Sequence, residues 1–127
     1  MTLVTEANPI ISIVDDDEAV REATASLIRS LGYRASTFAS ADEFLNSGQV
    51  SNTSCVITDL YMLGLSGLGL QDRLIARGYR IPIIFITGHP DDTARTRAMN
   101  AGAVAFLSKP VNSRHLVDHL EKALKAA

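Results

Sequence analysis

The side chains best suited to chemistry in this sequence are three consecutive carboxylates, Asp15–Asp17, and the isolated residues Asp59, Thr87 and Lys109. Each group stands at the end of a short apolar run. Crowded carboxylates repel one another unless a cation neutralises them, and oxygen-only ligation suits Mg²⁺. A metal ion, an ammonium group and a hydroxyl together stabilise a transferring phosphoryl group, and an aspartate among them can act as the nucleophile. The set predicts a phosphoryl-transfer or phosphate-binding site if the fold brings the four groups together.

The elements that must position these groups follow from the hydrophobic pattern. Short β-branched runs, such as IISIV at 10–14 and IPIIFI at 81–86, are typical of strands covered on both faces. Between such runs, apolar residues return every three or four positions, as on one face of a helix. The pattern predicts strands at 10–14, 33–38, 54–58, 81–86 and 104–107, and helices at 18–31, from 40 onward, at 68–76, at 91–101 and at 113–125.

The first and fourth predicted helices carry apolar stripes of different strength. The stripe of the first consists of Val20, Ala23, Leu27 and Leu31. The stripe of the fourth contains mainly Ala94, Ala98 and Met99. Because a stripe of alanine buries little area, the fourth helix should be weakly anchored, and weakly anchored elements are those that move. We therefore expect the surface of the fourth helix, fifth strand and fifth helix to be an output or dimer face.

The alternation of strands and helices predicts an α/β fold built from five βα units. Right-handed crossovers and short connections favour an open, doubly wound parallel sheet, and five units are too few for a closed eight-stranded barrel. Ligands of such sheets bind outside the carboxyl ends of the strands, near the point where strand order reverses. The first and third strands should lie side by side there. We expect at least three of the carboxylates of Asp15–Asp17 and Asp59 to share one pocket with Thr87 and Lys109.

Each signal also has a plainer interpretation. An acid after a strand is often a helix N-cap, which is one expectation for Asp17, and a lysine before proline is usually a solvated surface residue. A small phosphatase or phosphotransferase with Asp59 as a transient nucleophile is the main alternative function. It needs a second acid two residues later, where this chain has Tyr61. A nucleotide-binding module needs a glycine-rich loop after the first strand, where the chain has Asp-Asp-Asp-Glu.

Four segments resemble the signatures of response-regulator receiver domains. They are VDDDEAVR at 14–21, VITDLYMLGLSG at 56–67, FITGHPD at 85–91 and AFLSKP at 105–110. The Thr-Gly-His run is similar to that of FixJ-type, LuxR-related receivers. The resemblance covers residues 10–126, with 1–9 as an N-terminal lead-in. It implies a CheY-like, flavodoxin-like (βα)₅ fold whose five parallel strands have the order 2-1-3-4-5.

The resemblance also implies roles for individual residues at the site. Asp59 would be the phosphoacceptor and would share a Mg²⁺ ion with Asp15, Asp16 and the backbone carbonyl of Tyr61. Within the acidic pair, Asp16 would be the more direct ligand. A sensor histidine kinase would be the phosphoryl donor. Such a chain is a phosphorelay signalling domain rather than an enzyme, either acting alone or as the receiver half of a transcription regulator.

A conformational switch is implied at the other strand ends. Thr87 would bond one phosphoryl oxygen, Lys109 would pair with another, and the aromatic ring of Phe106 would follow the movement of Thr87. The Lys109–Pro110 peptide bond would be cis. Two positions depart from the family pattern: Leu63 replaces a usual proline, which should loosen the loop, and Val111 replaces a usual phenylalanine, which should thin the packing.

Composition limits the partners that this chain can have. The 127 residues carry a formal net charge of −2, which argues against nucleic acid as a direct ligand of this segment. The single cysteine, Cys55, rules out an internal disulfide and reads as a buried apolar residue. No signal peptide or run of membrane-helix length is evident, so we expect no membrane association and a cytoplasmic location. A homodimer through the face named above is expected on phosphorylation.

Overall fold

The structure, a computed structural model, describes residues 8–89 and 91–126. Its centre is one sheet of five parallel strands in the order β2-β1-β3-β4-β5. This confirms the predicted fold and strand order. The strands are β1 (Ile10–Val14), β2 (Arg34–Phe38), β3 (Cys55–Asp59), β4 (Ile83–Thr87) and β5 (Ala105–Ser108).

Five helices connect and follow the strands. They are α1 (Glu18–Ser30), α2 (Ala41–Leu45), α3 (Gly67–Ala76), α4 (Asp92–Asn100) and α5 (Ser113–Ala126), with a short 3₁₀ turn at Val50–Asn52. Side chains of a strand alternate between the two faces of a sheet, so each strand can contribute to two cores. In β4, Ile83 and Phe85 join the core under α2, α3 and α4, whereas Ile84 and Ile86 join the core under α1 and α5.

The apolar stripe predicted for the first helix was wrong at most of its positions. Ala25 and Ile28 are the fully buried residues of α1, and Leu31 is 38% exposed. The helix ends at Ser30, so Leu31 is only its C-cap residue. The remaining predicted positions line a groove between α1 and α5, and of these Leu27 also packs against the core; they are Val20, Ala23 and Leu27.

The stripe predicted for the fourth helix is confirmed for its two alanines. Ala94 and Ala98 are the buried residues of α4, whereas Met99 is 39% exposed. The helix therefore rests on the sheet through two methyl groups. Since burial of a methyl group contributes far less than burial of a leucine side chain, apolar contact anchors α4 weakly.

Several strands end later than the sequence pattern predicted. Asp59, Thr87 and Ser108 are the last residues of β3, β4 and β5, and each is paired in the sheet. Hydrogen bonds between the strands fix the backbone at these three residues, so the positions from which their polar side chains extend are also fixed. The sheet thus delivers the chemistry-bearing residues to one edge.

Candidate functional site

The acidic residues meet at the carboxyl edge of two neighbouring strands. Asp15 directly follows β1, and Asp59 ends β3, which pairs with β1. One oxygen from each of Asp15, Asp16 and Asp59 lies within 4.8 Å of the others. Asp15 is buried, Asp59 is half-buried and Asp16 is exposed. We call these three residues the acidic cluster.

Lys109 places an ammonium group against the acidic cluster. Its Nζ donates to Oδ2 of Asp15 and to Oδ2 of Asp59, each at 3.3 Å. Burial by itself would lower the pKa of Lys109, but the charges of these two carboxylates outweigh burial and raise that pKa above its ordinary value. Burial raises the pKa of Asp15, and the Asp59 charge adds to the increase, while a hydrogen bond from Asp17 and the charge of Lys109 oppose it.

Backbone groups fix the turn between β1 and α1. The N–H of Asp17 donates to Oδ1 of Asp15 at 2.9 Å, and the guanidinium of Arg21 donates to the Asp15 carbonyl at 2.7 Å. Oδ1 of Asp17 accepts from the N–H of Val20 at 3.1 Å. Asp17 is therefore the N-cap of α1, as its plainer interpretation predicted, and it lies outside the acidic cluster. The role of Arg21 as a clamp on this turn was missed, because no local pattern connects a helical arginine to a carbonyl.

The loop after β3 supplies two further backbone donors. The N–H of Leu60 donates to Oδ1 of Asp59 at 2.7 Å, and the N–H of Leu63 donates to Oδ2 of Asp16 at 3.2 Å. A proline at position 63 would have no such N–H. The departure from the family pattern at Leu63 therefore adds one hydrogen bond to the site, while its side chain is 87% exposed.

Among the described residues, Thr87 and Phe106 make no direct hydrogen bond to the acidic cluster, although Thr87 ends the strand next to β3. Thr87 is buried, and its Oγ1 accepts from the N–H of His89 at 3.0 Å. The N–H of Lys109 donates to the Thr87 carbonyl at 2.7 Å, which ties the ends of β4 and β5 together. Phe106 is half-buried, with its ring centroid 6.0 Å from that of Phe85.

The remaining predictions for this edge concern residues 109–111. The Lys109–Pro110 peptide bond is cis, as the resemblance implied. Val111 packs against the core under α1 and α5 and is partly buried. The thinner packing expected from Val111 in place of a phenylalanine stays a prediction.

The acidic cluster fits a divalent cation on charge and on donor type. The cluster has three carboxylates, and the ammonium of Lys109 pairs with Asp15 and Asp59, so the formal charge of these four groups is −2. Carboxylate oxygens are the hard ligands that Mg²⁺ prefers. Tyr61, whose backbone carbonyl is the remaining predicted ligand, stands two residues after Asp59.

Residues 11–121 match the sequence profile described as the response regulator receiver domain. The chain belongs to the response-regulator receiver family. This receiver is 44% identical over 125 residues to the response regulator protein TmoT of Ectopseudomonas mendocina, a match that covers 98% of this chain and 56% of that protein. It is 38% identical over 114 residues to the transcriptional regulatory protein FixJ of Azorhizobium caulinodans, covering 90% of this chain and 54% of FixJ.

Solved receiver structures share the fold. The response regulator StyR superimposes with a TM-score of 0.87 at 42% identity, covering 94% of this receiver and 61% of that chain. FixJ-N superimposes with a TM-score of 0.84 at 33% identity, covering 94% and 96%. The receiver spans about half the length of the curated relatives that it matches. TmoT and TodT are response regulators, which gives the small-phosphatase alternative no support, and the matched domain is the receiver domain of such regulators.

None of the helices in the described part of the chain combines the length and the apolar composition needed to cross a bilayer.

Proposed function

We propose that this receiver accepts a phosphoryl group on Asp59 from the phosphohistidine of a sensor histidine kinase. The observation that carries the proposal is the position of the Asp59 carboxylate, which lies within 4.8 Å of oxygens of Asp15 and Asp16 and 3.3 Å from the ammonium of Lys109. A carboxylate next to both a set of cation ligands and a fixed positive charge is suited to attack phosphorus, because the cation and the ammonium both offset the charge of the phosphoryl oxygens.

Each residue has a definite part in the transfer. An oxygen of Asp59 forms the new bond to phosphorus while the bond from phosphorus to the histidine nitrogen breaks in line with it. The N–H of Leu60 holds the Oδ1 side of Asp59, and Lys109 reaches Oδ2 and then a phosphoryl oxygen. A Mg²⁺ ion, held by Asp15, Asp16, Asp59 and the Tyr61 carbonyl, would supply additional positive charge at the phosphoryl group.

The response to phosphorylation is proposed to begin at Thr87. Its hydroxyl oxygen accepts from the N–H of His89 at 3.0 Å, and its O–H donates to the His89 carbonyl at 3.4 Å, a long contact that it would give up to donate to a phosphoryl oxygen. Phe106, half-buried beside Phe85, would fill the space that Thr87 vacates. Such a local change biases a two-state equilibrium of the surrounding surface.

The proposed output face consists of α4, β5 and α5. The weak apolar anchoring of α4 supports this choice, and a homodimer through this face is expected on phosphorylation. We propose that the receiver acts in the cytoplasm, does not bind nucleic acid through this segment, and serves transcription regulation, as the name of FixJ states for that relative. The domain limits 10–126 and the lead-in 1–9 stay predictions, and residues 1–7 lie outside the described part of the chain.

Incubation with acetyl phosphate and Mg²⁺, followed by intact mass measurement, tests the phosphoacceptor. We expect a single phosphoryl adduct on the wild type and none on Asp59→Asn, because the amide is not a nucleophile. Lys109→Ala should still accept the group but more slowly, since the fixed charge that stabilises the transfer is lost.

Asp17→Asn is the matched control for this experiment. Asp17 caps α1 outside the acidic cluster, and asparagine caps helices about as well as aspartate. We therefore expect this variant to give the wild-type adduct. An adduct that persists in Asp59→Asn at the wild-type level would place the phosphoacceptor elsewhere.

A further inference from the structure

The side chain of Tyr61 joins the loop after β3 to the start of α4. Its hydroxyl donates a hydrogen bond to Oδ2 of Asp91 at 2.9 Å, across 30 residues of sequence. Asp91 is the N-cap residue of α4, and its Oδ1 accepts from the N–H groups of Thr93 at 2.9 Å and Ala94 at 3.2 Å. One carboxylate therefore caps the helix with one oxygen and holds the tyrosine with the other.

Tyr61, which belongs to the loop after β3, also contacts the loop after β4. It stands two residues after Asp59, and its backbone carbonyl is the expected fourth oxygen ligand of the cation. Its ring meets the ring of His89 edge to face, with 6.4 Å between centroids. The N–H of His89 in turn donates to Oγ1 of Thr87. Tyr61 thus connects the segment that follows β3 with the segment that follows β4.

The two ends of α4 are attached in different ways. Near its C-terminal end, the buried amide of Gln71 donates to the Ala98 carbonyl at 3.1 Å, and Arg97 pairs with Asp72. These contacts tie that end to α3. The N-terminal end has the small side chain of Ala94 against the sheet and the hydrogen bond from Tyr61 to Asp91. The first turn is therefore the part of α4 best able to follow a change at the site.

We propose that Tyr61 is a positioning residue that couples the acidic cluster to the first turn of α4 through its hydrogen bond to Asp91. This inference rests on the proposed function, because it assumes that the Tyr61 carbonyl serves the site. The carbonyl and the hydroxyl belong to one residue, so a displacement of Tyr61 at the site also displaces the partner of the helix cap. Coupling of this kind is reciprocal, and a shift of α4 equally changes the position of the carbonyl.

Amide hydrogen exchange of the wild type and of Tyr61→Phe, with and without Mg²⁺, tests the coupling. Without Mg²⁺, we expect the amides at 93–96 to exchange about threefold or more faster in Tyr61→Phe, the effect of losing one modest hydrogen bond. The last turn of α4, which α3 holds, should be unaffected. Mg²⁺ added to saturation, as measured by a titration of each protein, should change exchange at 93–96 in the wild type but not in Tyr61→Phe.

Tyr33→Phe is the matched control, because Tyr33 packs against the core under α1 and α5, away from α4. It should behave as the wild type. If Tyr61→Phe binds Mg²⁺ and retains the wild-type exchange and Mg²⁺ response at 93–96, the coupling is overturned while the proposed function stands. Faster exchange at 93–96 and a lost Mg²⁺ response in Tyr33→Phe would also overturn the coupling, because the effect would then not depend on Tyr61. If the wild type binds no Mg²⁺, the proposed function fails, and the coupling fails with it.

Discussion

At the scale of single residues, neighbouring side chains of one type have different environments. Asp15 is buried and holds a hydrogen bond to the turn, Asp16 is exposed at the rim of the cluster, and Asp17 caps a helix. The difference follows from the direction in which the chain leaves β1, since consecutive residues of a turn point different ways. Three adjacent aspartates can therefore serve as an internal anchor, a surface-facing ligand and a structural cap.

Cys55 gives a residue-scale prediction that depends on pH. Burial in β3 raises the pKa of its thiol from an ordinary 9.0 to about 12. Only the thiolate reacts with alkylating reagents. We therefore expect iodoacetamide to modify the folded protein at least about 100-fold more slowly than the urea-unfolded protein, because reaction requires opening of the core. Intact mass over time measures both rates.

The raised pKa of Cys55 also determines the direction in which stability changes at high pH. Above pH 9 the unfolded chain loses the thiol proton, whereas the folded protein retains it until about pH 12. The unfolded state then binds fewer protons, so the free energy of unfolding falls as pH rises through this window. Rapid alkylation of the folded protein at neutral pH would contradict the burial of Cys55.

At the scale of elements, the helices are held by contacts of different kinds. Helix α5 buries Leu116, Leu120 and Ala123, whereas α4 buries Ala94 and Ala98. The position of α4 therefore depends more on polar contacts at its two ends than on apolar area. Polar contacts with exposed partners contribute little each and can exchange for others, so α4 is the helix that a change at the site can shift most easily.

Native-state hydrogen exchange measures this difference between elements. We expect amides of α4 to exchange through local openings that cost clearly less free energy than opening of β3 or β4, whose central residues are fully buried. Mild denaturant separates the two classes, because local openings expose little surface and respond weakly to it. If α4 proved to be the best protected segment, its proposed role in the output face would be wrong.

At the scale of the whole molecule, the sheet gathers groups that are far apart in the sequence. Lys109 is 94 residues from Asp15 and 50 residues from Asp59, yet its ammonium is 3.3 Å from an oxygen of each. The folded protein therefore concentrates negative charge that the unfolded chain keeps dispersed. Repulsion within the cluster opposes folding, and a cation that binds there favours the folded state.

Mg²⁺ should consequently stabilise the folded protein by mass action. At a Mg²⁺ concentration 100 times its Kd, the free energy of unfolding should rise by about 2.7 kcal/mol, because the unfolded chain has no assembled site. Urea unfolding in EDTA and in MgCl₂ measures the change. NaCl at equal ionic strength is the control, since screening alone also reduces repulsion. Asp59→Asn, which lacks one ligand charge, should gain less, and an equal gain would argue against a site at the acidic cluster.

The sequence by itself was sufficient for the order of elements and for the edge of the sheet that carries chemistry. Strand and helix periodicities are local properties, so the (βα)₅ pattern could be read from short segments. Parallel strands share one carboxyl edge, so Asp15, Asp59, Thr87 and Lys109 had to approach it. The family signatures added the cis bond before Pro110, which the structure confirms.

Only the tertiary structure decided the rotation of α1 and the contacts that side chains make with groups on neighbouring elements. In the folded protein, α1 is rotated so that Ala25 and Ile28 are buried. Arg21 contacts the Asp15 carbonyl, and Tyr61 contacts Asp91. These contacts join side chains to groups on a turn or another element, and their formation depends on helix rotation and loop path. Both are set by packing of the whole core, which no local pattern in the sequence encodes.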